Sequence, residues 1–102
     1  ETFESFDTME NGVRAIGKLL LTYYRKYNLN TVKQIISRYS ATDQEAYIKY
    51  VSDRLGVGSM QTFNVENRLK ELVKAIIRME NGLAAAFVSE ADLANGIERA
   101  LS

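Results

Sequence analysis

The chain has 102 residues, of which 46% are hydrophobic and 25% charged, and 13 Lys and Arg balance 13 Asp and Glu. This length suits one domain with a single modest core, and balanced charge gives no net field that would attract nucleic acid. The sequence contains no Cys and no His, which excludes disulfides, thiolate nucleophiles, His-based triads and the usual zinc sites. Catalysis would therefore depend on carboxylates, Lys or Tyr, and glycoside hydrolysis by Asp or Glu is the enzyme class that fits best. We expect no cofactor, no metal and no nucleic-acid partner.

The apolar runs of the sequence are short. The longest, residues 19–21 and 83–88, fall far below the roughly 20 residues that a membrane helix needs, so no membrane span is expected. The chain begins with Glu1 and has no basic, apolar leader. We therefore expect a fragment or a processed product.

The spacing of the apolar residues predicts an all-α, compact single domain of about five helices over residues 1–102. No segment alternates between apolar and polar residues as a half-buried strand does. The predicted helices cover residues 8–27, 31–39, 43–55 and 69–82, with a last helix from residue 89 onward.

Local signals mark the ends of these helices. Asp7-Thr8-Met9-Glu10 and Thr42-Asp43-Gln44-Glu45 have the spacing of capping boxes, and Asn30 is a suitable cap for the second helix. Gly56 and Gly82 are expected to adopt the left-handed conformation that ends a helix.

Glycines inside the helices carry further information. Gly12 and Gly17 each weaken the first helix by about 1 kcal/mol relative to Ala, which predicts close contact with a neighbouring helix. Gly96 is expected to interrupt the last helix, and Phe63 is the single predicted anchor of a surface loop over residues 57–64. Tyr27 and Leu101 continue the apolar faces of the first and last helices at their ends, and both are expected to face the core.

Residues 69–82 form the predicted central helix, which ends beside Glu80, the candidate catalytic residue. The negative end of the helix macrodipole disfavours a charged carboxylate there, which is the direction that a general acid needs. The more common situation for such a Glu is a solvated helix end, or an ion pair with Arg78 or Lys74. The apolar face of this helix comprises Leu69, Leu72, Val73, Ile76 and Ile77.

A two-carboxylate mechanism requires a second acid. The candidates are Glu10, Asp43 and Glu45, although the capping boxes already account for all three.

The chain has six Tyr residues, whose rings could stack on sugars. Most of them fall at core-facing positions. Tyr24 and Tyr50 lie off the main apolar faces and are the two predicted to be exposed and to bind substrate.

Several blocks of the sequence resemble a family of small phage and prophage proteins that are described as virion or structural proteins. The blocks extend over nearly the whole chain and comprise residues 6–15, 22–23, 26–32, 35–39, 46–48, 55–57 and 75–82. The resemblance implies a location in the virion, or in the bacterial cytoplasm during phage assembly. Relatives carry an Asn- and Pro-rich N-terminal extension that this chain lacks, and often a His where it has Met79.

Two of these blocks also resemble cell-wall enzymes. Residues 6–15 are similar to a segment of bacterial cell-wall glucosaminidases. Residues 75–82 are similar to the catalytic helix of lytic transglycosylases, in which an apolar helix ends in Glu-Ser-Gly. In those enzymes the catalytic helix comes before the other segment, whereas in this chain it comes after. The resemblance implies a lysozyme-like fold and peptidoglycan as the partner.

Two hypotheses follow. In the first, the chain is a phage or prophage virion-associated domain that acts at the bacterial envelope and cleaves peptidoglycan glycan strands, with Glu80 as general acid. In the second, it is a non-catalytic structural module that binds another virion protein. The absence of His and of a clear second acid motivates the second hypothesis.

Overall fold

The computed structural model describes residues 8–102, and this part of the chain contains helices and no strand. The all-α fold predicted from periodicity is therefore confirmed. None of these helices is long and apolar enough to cross a membrane. The elements in chain order are α1 (Met9–Tyr27), α2 (Val32–Tyr39), α3 (Gln44–Leu55), α4 (Leu69–Asn81), a 3-10 helix (Gly82–Phe87) and α5 (Glu90–Leu101).

Helix α4 is the central helix, as its pattern predicts. It packs against α1, α3 and α5, and the five residues of its predicted apolar face are each at most 3% exposed. Burying an aliphatic side chain contributes roughly 1.5–3 kcal/mol, so this face is a main source of stability. It also fixes the position of the residues at the end of α4.

Helices α1 and α5 pack against each other through small residues. A Cβ atom on Gly17 would lie 2.9 Å from the Ala100 Cβ. One on Gly96 would lie 2.6 Å from the Val13 Cγ1 and 2.8 Å from the Glu10 carbonyl oxygen. The close contact predicted at Gly17 is confirmed. Gly96 does not interrupt α5 but lets the backbone of α1 pass close to it.

The first two helices are capped by threonines. The Thr8 hydroxyl accepts a hydrogen bond from the Asn11 N–H at 3.1 Å, and Asp7 of the predicted capping box lies outside the described residues. Helix α2 begins after Thr31, whose hydroxyl accepts a backbone hydrogen bond at 3.1 Å. The prediction of Asn30 as this cap is therefore wrong by one residue.

Later helix ends differ more from the predictions. The capping box at Thr42 is absent, because Asp43 has a φ of 48° and makes no side-chain cap hydrogen bond. Gly56 ends α3 in the left-handed conformation with a φ of 69°, as predicted. Gly82 has a φ of 56° and a ψ of −129°. This backbone lies outside the predicted left-handed region, in one that glycine alone enters readily.

Two residues predicted to face the core are exposed, Tyr27 by 45% and Leu101 by 40%. Tyr27 lies in the last turn of α1, and the Arg38 guanidinium stacks on its ring at 4.9 Å from the centroid. The stacked cation accounts for the exposure of Tyr27, because it covers the ring without burying it in the core.

In the loop between α3 and α4, Phe63 is partly buried as predicted, but Val65 is fully buried and is a second anchor.

Candidate functional site

Glu80 lies in the last turn of α4 and is exposed. The two cations that were expected as its partners are bound elsewhere. Arg78 donates a hydrogen bond to the Gly82 carbonyl oxygen at 2.9 Å, and Lys74 donates to Glu90 at 3.4 Å. Within residues 8–102 Glu80 takes part in no ion pair. Its carboxylate is therefore available to an incoming ligand.

The neighbours of Glu80 are two tyrosines, from the end of α2 and the start of α3. Tyr47 is 3% exposed, and its buried hydroxyl has no hydrogen-bond partner in the described part of the chain. The Glu80 carboxylate approaches this hydroxyl but does not meet it with the geometry of a hydrogen bond. The half-buried Tyr39 lies close enough to Glu80 for the charge of the carboxylate to affect its pKa.

Burial is the main cause that raises the pKa of Tyr47 well above its usual value, and the Glu80 carboxylate raises it further. Burial first, and the charge of Glu80 second, raise the pKa of Tyr39 to about 12. Both phenols are therefore neutral near pH 7 and can donate O–H hydrogen bonds.

The three candidates for a second acid occupy different places. Glu10 accepts a hydrogen bond from Arg99 at 2.8 Å across the α1–α5 contact. Asp43 and Glu45 line a wide depression of about 930 Å³ at the start of α3. Glu80 lines neither this depression nor the cleft described next. Within residues 8–102 no three acidic side chains converge as a metal site would require.

A cleft of about 570 Å³ lies between α3, α4, the 3-10 helix and α5, and is called the α3–α4 cleft below. Tyr50, a predicted substrate-binding residue, lines it together with Arg54 and Arg78. Tyr24, the other predicted residue, is also half-buried and packs against the core, but it is not in the lining. The prediction that both are exposed is therefore wrong, because the rings of Tyr24 and Tyr50 are partly buried against the core.

An exposed apolar segment follows Glu80 directly. Leu83 is 82% exposed and Phe87 is 79% exposed, both in the 3-10 helix. Sequence reasoning recorded this segment only as an apolar run. Its lack of helical spacing was the signal that it does not form a buried face.

No protein-family model matches the chain. It is similar to Protein P5 of Pseudoalteromonas phage PM2, with 38% identity over 84 residues that cover 79% of this chain and 52% of that protein. The chain thus spans about half the length of the phage protein that it matches. This similarity gives no support to the lysozyme-like features inferred from the sequence. It supports the conclusion that the chain is a phage-associated protein.

Proposed function

We propose that this phage-associated chain cleaves the glycan strands of peptidoglycan, with Glu80 as the general acid. The observation that supports the proposal is the environment of the Glu80 carboxylate. It is exposed, has no cationic partner within residues 8–102 and lies beside the buried hydroxyl of Tyr47. An exposed carboxylate that forms no ion pair in this part of the chain is open to a bound glycan strand.

In the proposed reaction, Glu80 gives its proton to the glycosidic oxygen as the bond from that oxygen to the anomeric carbon breaks, and the Tyr47 hydroxyl hydrogen-bonds the carboxylate that remains. A water molecule then adds to the anomeric carbon, and the proton that it loses returns to Glu80. Asp43 and Glu45 line a depression at the start of α3 that Glu80 does not line, so neither of them is proposed as the second acid. Some glycosidases instead use an acetamido group of the substrate in place of a second enzyme carboxylate.

The experiment measures solubilisation of purified peptidoglycan by the wild-type chain, by Glu80→Gln and by Glu98→Gln. Glu98 is an exposed carboxylate on α5 and provides a matched control. We expect Glu80→Gln to lower the rate by about 100-fold or more, the usual contribution of a general acid, and Glu98→Gln to leave it unchanged. Equal rates for wild type and Glu80→Gln would remove Glu80 from the mechanism.

A second candidate function is a non-catalytic interaction module of the phage particle. The observation that favours it is the exposure of Leu83 and Phe87 in one short 3-10 helix, because exposed apolar side chains in one segment often mark a protein contact. The test compares incorporation into phage particles of a Leu83→Asn, Phe87→Asn double variant with that of Met60→Asn. Met60 is a control that is 73% exposed in another loop. Reduced incorporation of the double variant alone supports this function, and normal incorporation contradicts it.

A further inference from the structure

We infer that the α3–α4 cleft binds a carboxylate of the peptide attached to a peptidoglycan strand, through Arg54 and Arg78. The inference deepens the proposed function and rests on it for the class of the ligand. It also assigns to Tyr50 a place in the wall of a peptide-binding cleft.

The acidic side chains of the cleft already have cationic partners. Arg68 donates two hydrogen bonds to the Glu71 carboxylate, at 2.9 and 2.8 Å. Lys70 and Lys74 lie 3.3 and 3.4 Å from the carboxylate oxygens of Glu90. These partners lower the pKa of both carboxyl groups, so both stay charged and paired near pH 7.

The two arginines of the cleft have no carboxylate partner in the described part of the chain. Arg54 forms no ion pair there, and Arg78 uses one guanidinium N–H group for the Gly82 carbonyl oxygen. A guanidinium presents five N–H donors in a planar fork that matches a carboxylate. Donors therefore remain on both arginines for an anionic ligand.

Apart from Lys74, the rest of the cleft wall is apolar, and several of its side chains are small. Ala75, Ala86 and Val88 line it beside the ring of Tyr50. Such a wall suits short aliphatic side chains, whereas the arginines suit carboxylates. A peptide built from alanine and glutamate, as found on peptidoglycan strands, offers both groups.

The cleft lies close to the proposed general acid. Tyr50 follows Tyr47 by three residues on α3, which is about one helical turn or roughly 4.5 Å along the helix axis. Tyr47 is the residue whose hydroxyl lies beside Glu80. A glycan strand at Glu80 could therefore place its attached peptide in the cleft.

The test is an NMR titration of the full chain carrying Glu80→Gln, so that binding is measured without cleavage. The probe is N-acetylmuramyl-L-alanyl-D-glutamate, and its diamide is the matched ligand without carboxylates. We expect saturable shifts at the amides of Tyr50, Arg54 and Arg78, and binding of the diamide that is weaker by about tenfold or more. Adding Arg54→Gln should weaken binding of the acid by a similar factor. Adding Arg14→Gln, which changes an arginine outside the cleft, should not.

Three results would overturn the inference: equal binding of acid and diamide, no effect of Arg54→Gln, or equally strong shifts with inorganic phosphate. The last would show a general anion contact. Peptide binding at the cleft without peptidoglycan turnover by the wild-type chain would reject the proposed function alone. Turnover with no binding at Arg54 would reject only this inference.

Discussion

At the scale of single residues, the buried hydroxyl of Tyr47 lies beside Glu80 without a hydrogen-bond partner in the described part of the chain. A buried hydroxyl without a partner costs roughly 1–3 kcal/mol. We expect Tyr47→Phe to leave the free energy of unfolding unchanged or to raise it by up to about 1 kcal/mol, since the ring is kept and the unpaired group removed. Urea unfolding at pH 7 measures this. A loss of more than about 1 kcal/mol would show that the hydroxyl is hydrogen-bonded in solution.

The raised pKa of Tyr39 makes stability depend on pH in the alkaline range. Its pKa rises from 10.0 to about 12 on folding, so the folded chain keeps the phenol protonated where the unfolded chain loses the proton. The stabilising contribution is fully present below about pH 10 and is lost as the pH rises toward 12. Wild type should therefore lose more unfolding free energy than Tyr39→Phe between about pH 9 and pH 11.5. Equal losses in urea unfolding would contradict this.

Sequence reasoning could identify Glu80 at a helix end but not its neighbours. The helix pattern places Glu80 in the last turn of α4, and the structure agrees. Tyr39 and Tyr47 lie 41 and 33 positions before it in the chain, and no local pattern indicates which distant residues will meet. The separation of Tyr50 from the apolar face was wrong, because Tyr50 follows Tyr47 by three residues, a spacing that keeps both on neighbouring parts of one helix face, and its ring packs partly buried against the core.

At the scale of elements, the contact between α1 and α5 depends on glycine. Gly96→Ala should stabilise α5 as an isolated helix by about 1 kcal/mol. Its Cβ, however, would meet Val13 at 2.6 Å and the Glu10 carbonyl oxygen at 2.8 Å. Backbone atoms cannot move aside as a flexible side chain can, so we expect a net loss of about 1–3 kcal/mol.

The control for this prediction is Gly58→Ala, whose Cβ would have its nearest neighbour at 3.6 Å, an ordinary contact. It should change stability by less than about 0.5 kcal/mol or raise it slightly. Thermal or urea unfolding of both variants measures the difference. Equal stability of the Gly96→Ala variant and wild type would show that α1 and α5 are farther apart than the structure has them.

The extents of the helices could be predicted because apolar spacing is a property of each segment. Caps were less predictable, because Asp43, Thr42 and Asn30 are all chemically able to cap and the backbone selects among them. Gly96 illustrates the same limit, since its effect on helix propensity is local whereas its packing partner Val13 lies on another helix. The pattern of α5 alone therefore suggested an interruption where the structure has a close contact.

At the scale of the whole molecule, the five α-helices of the described residues share a buried core, and this core fixes the positions of Glu80 and the α3–α4 cleft. The similarity to Protein P5 of phage PM2 covers 79% of this chain, so a virion or assembly context fits. The all-α architecture followed from composition and periodicity. The α3–α4 cleft could not be predicted in this way, because it forms between segments that are distant in the chain.

Glycan cleavage by Glu80 is tested most directly by mass analysis of the fragments that the chain releases from purified peptidoglycan. We expect the wild-type chain to release soluble fragments that have new sugar ends and intact peptides, and Glu80→Gln to release none. Release of the same fragments by Glu80→Gln, or glycan strands left intact by the wild-type chain, would contradict it.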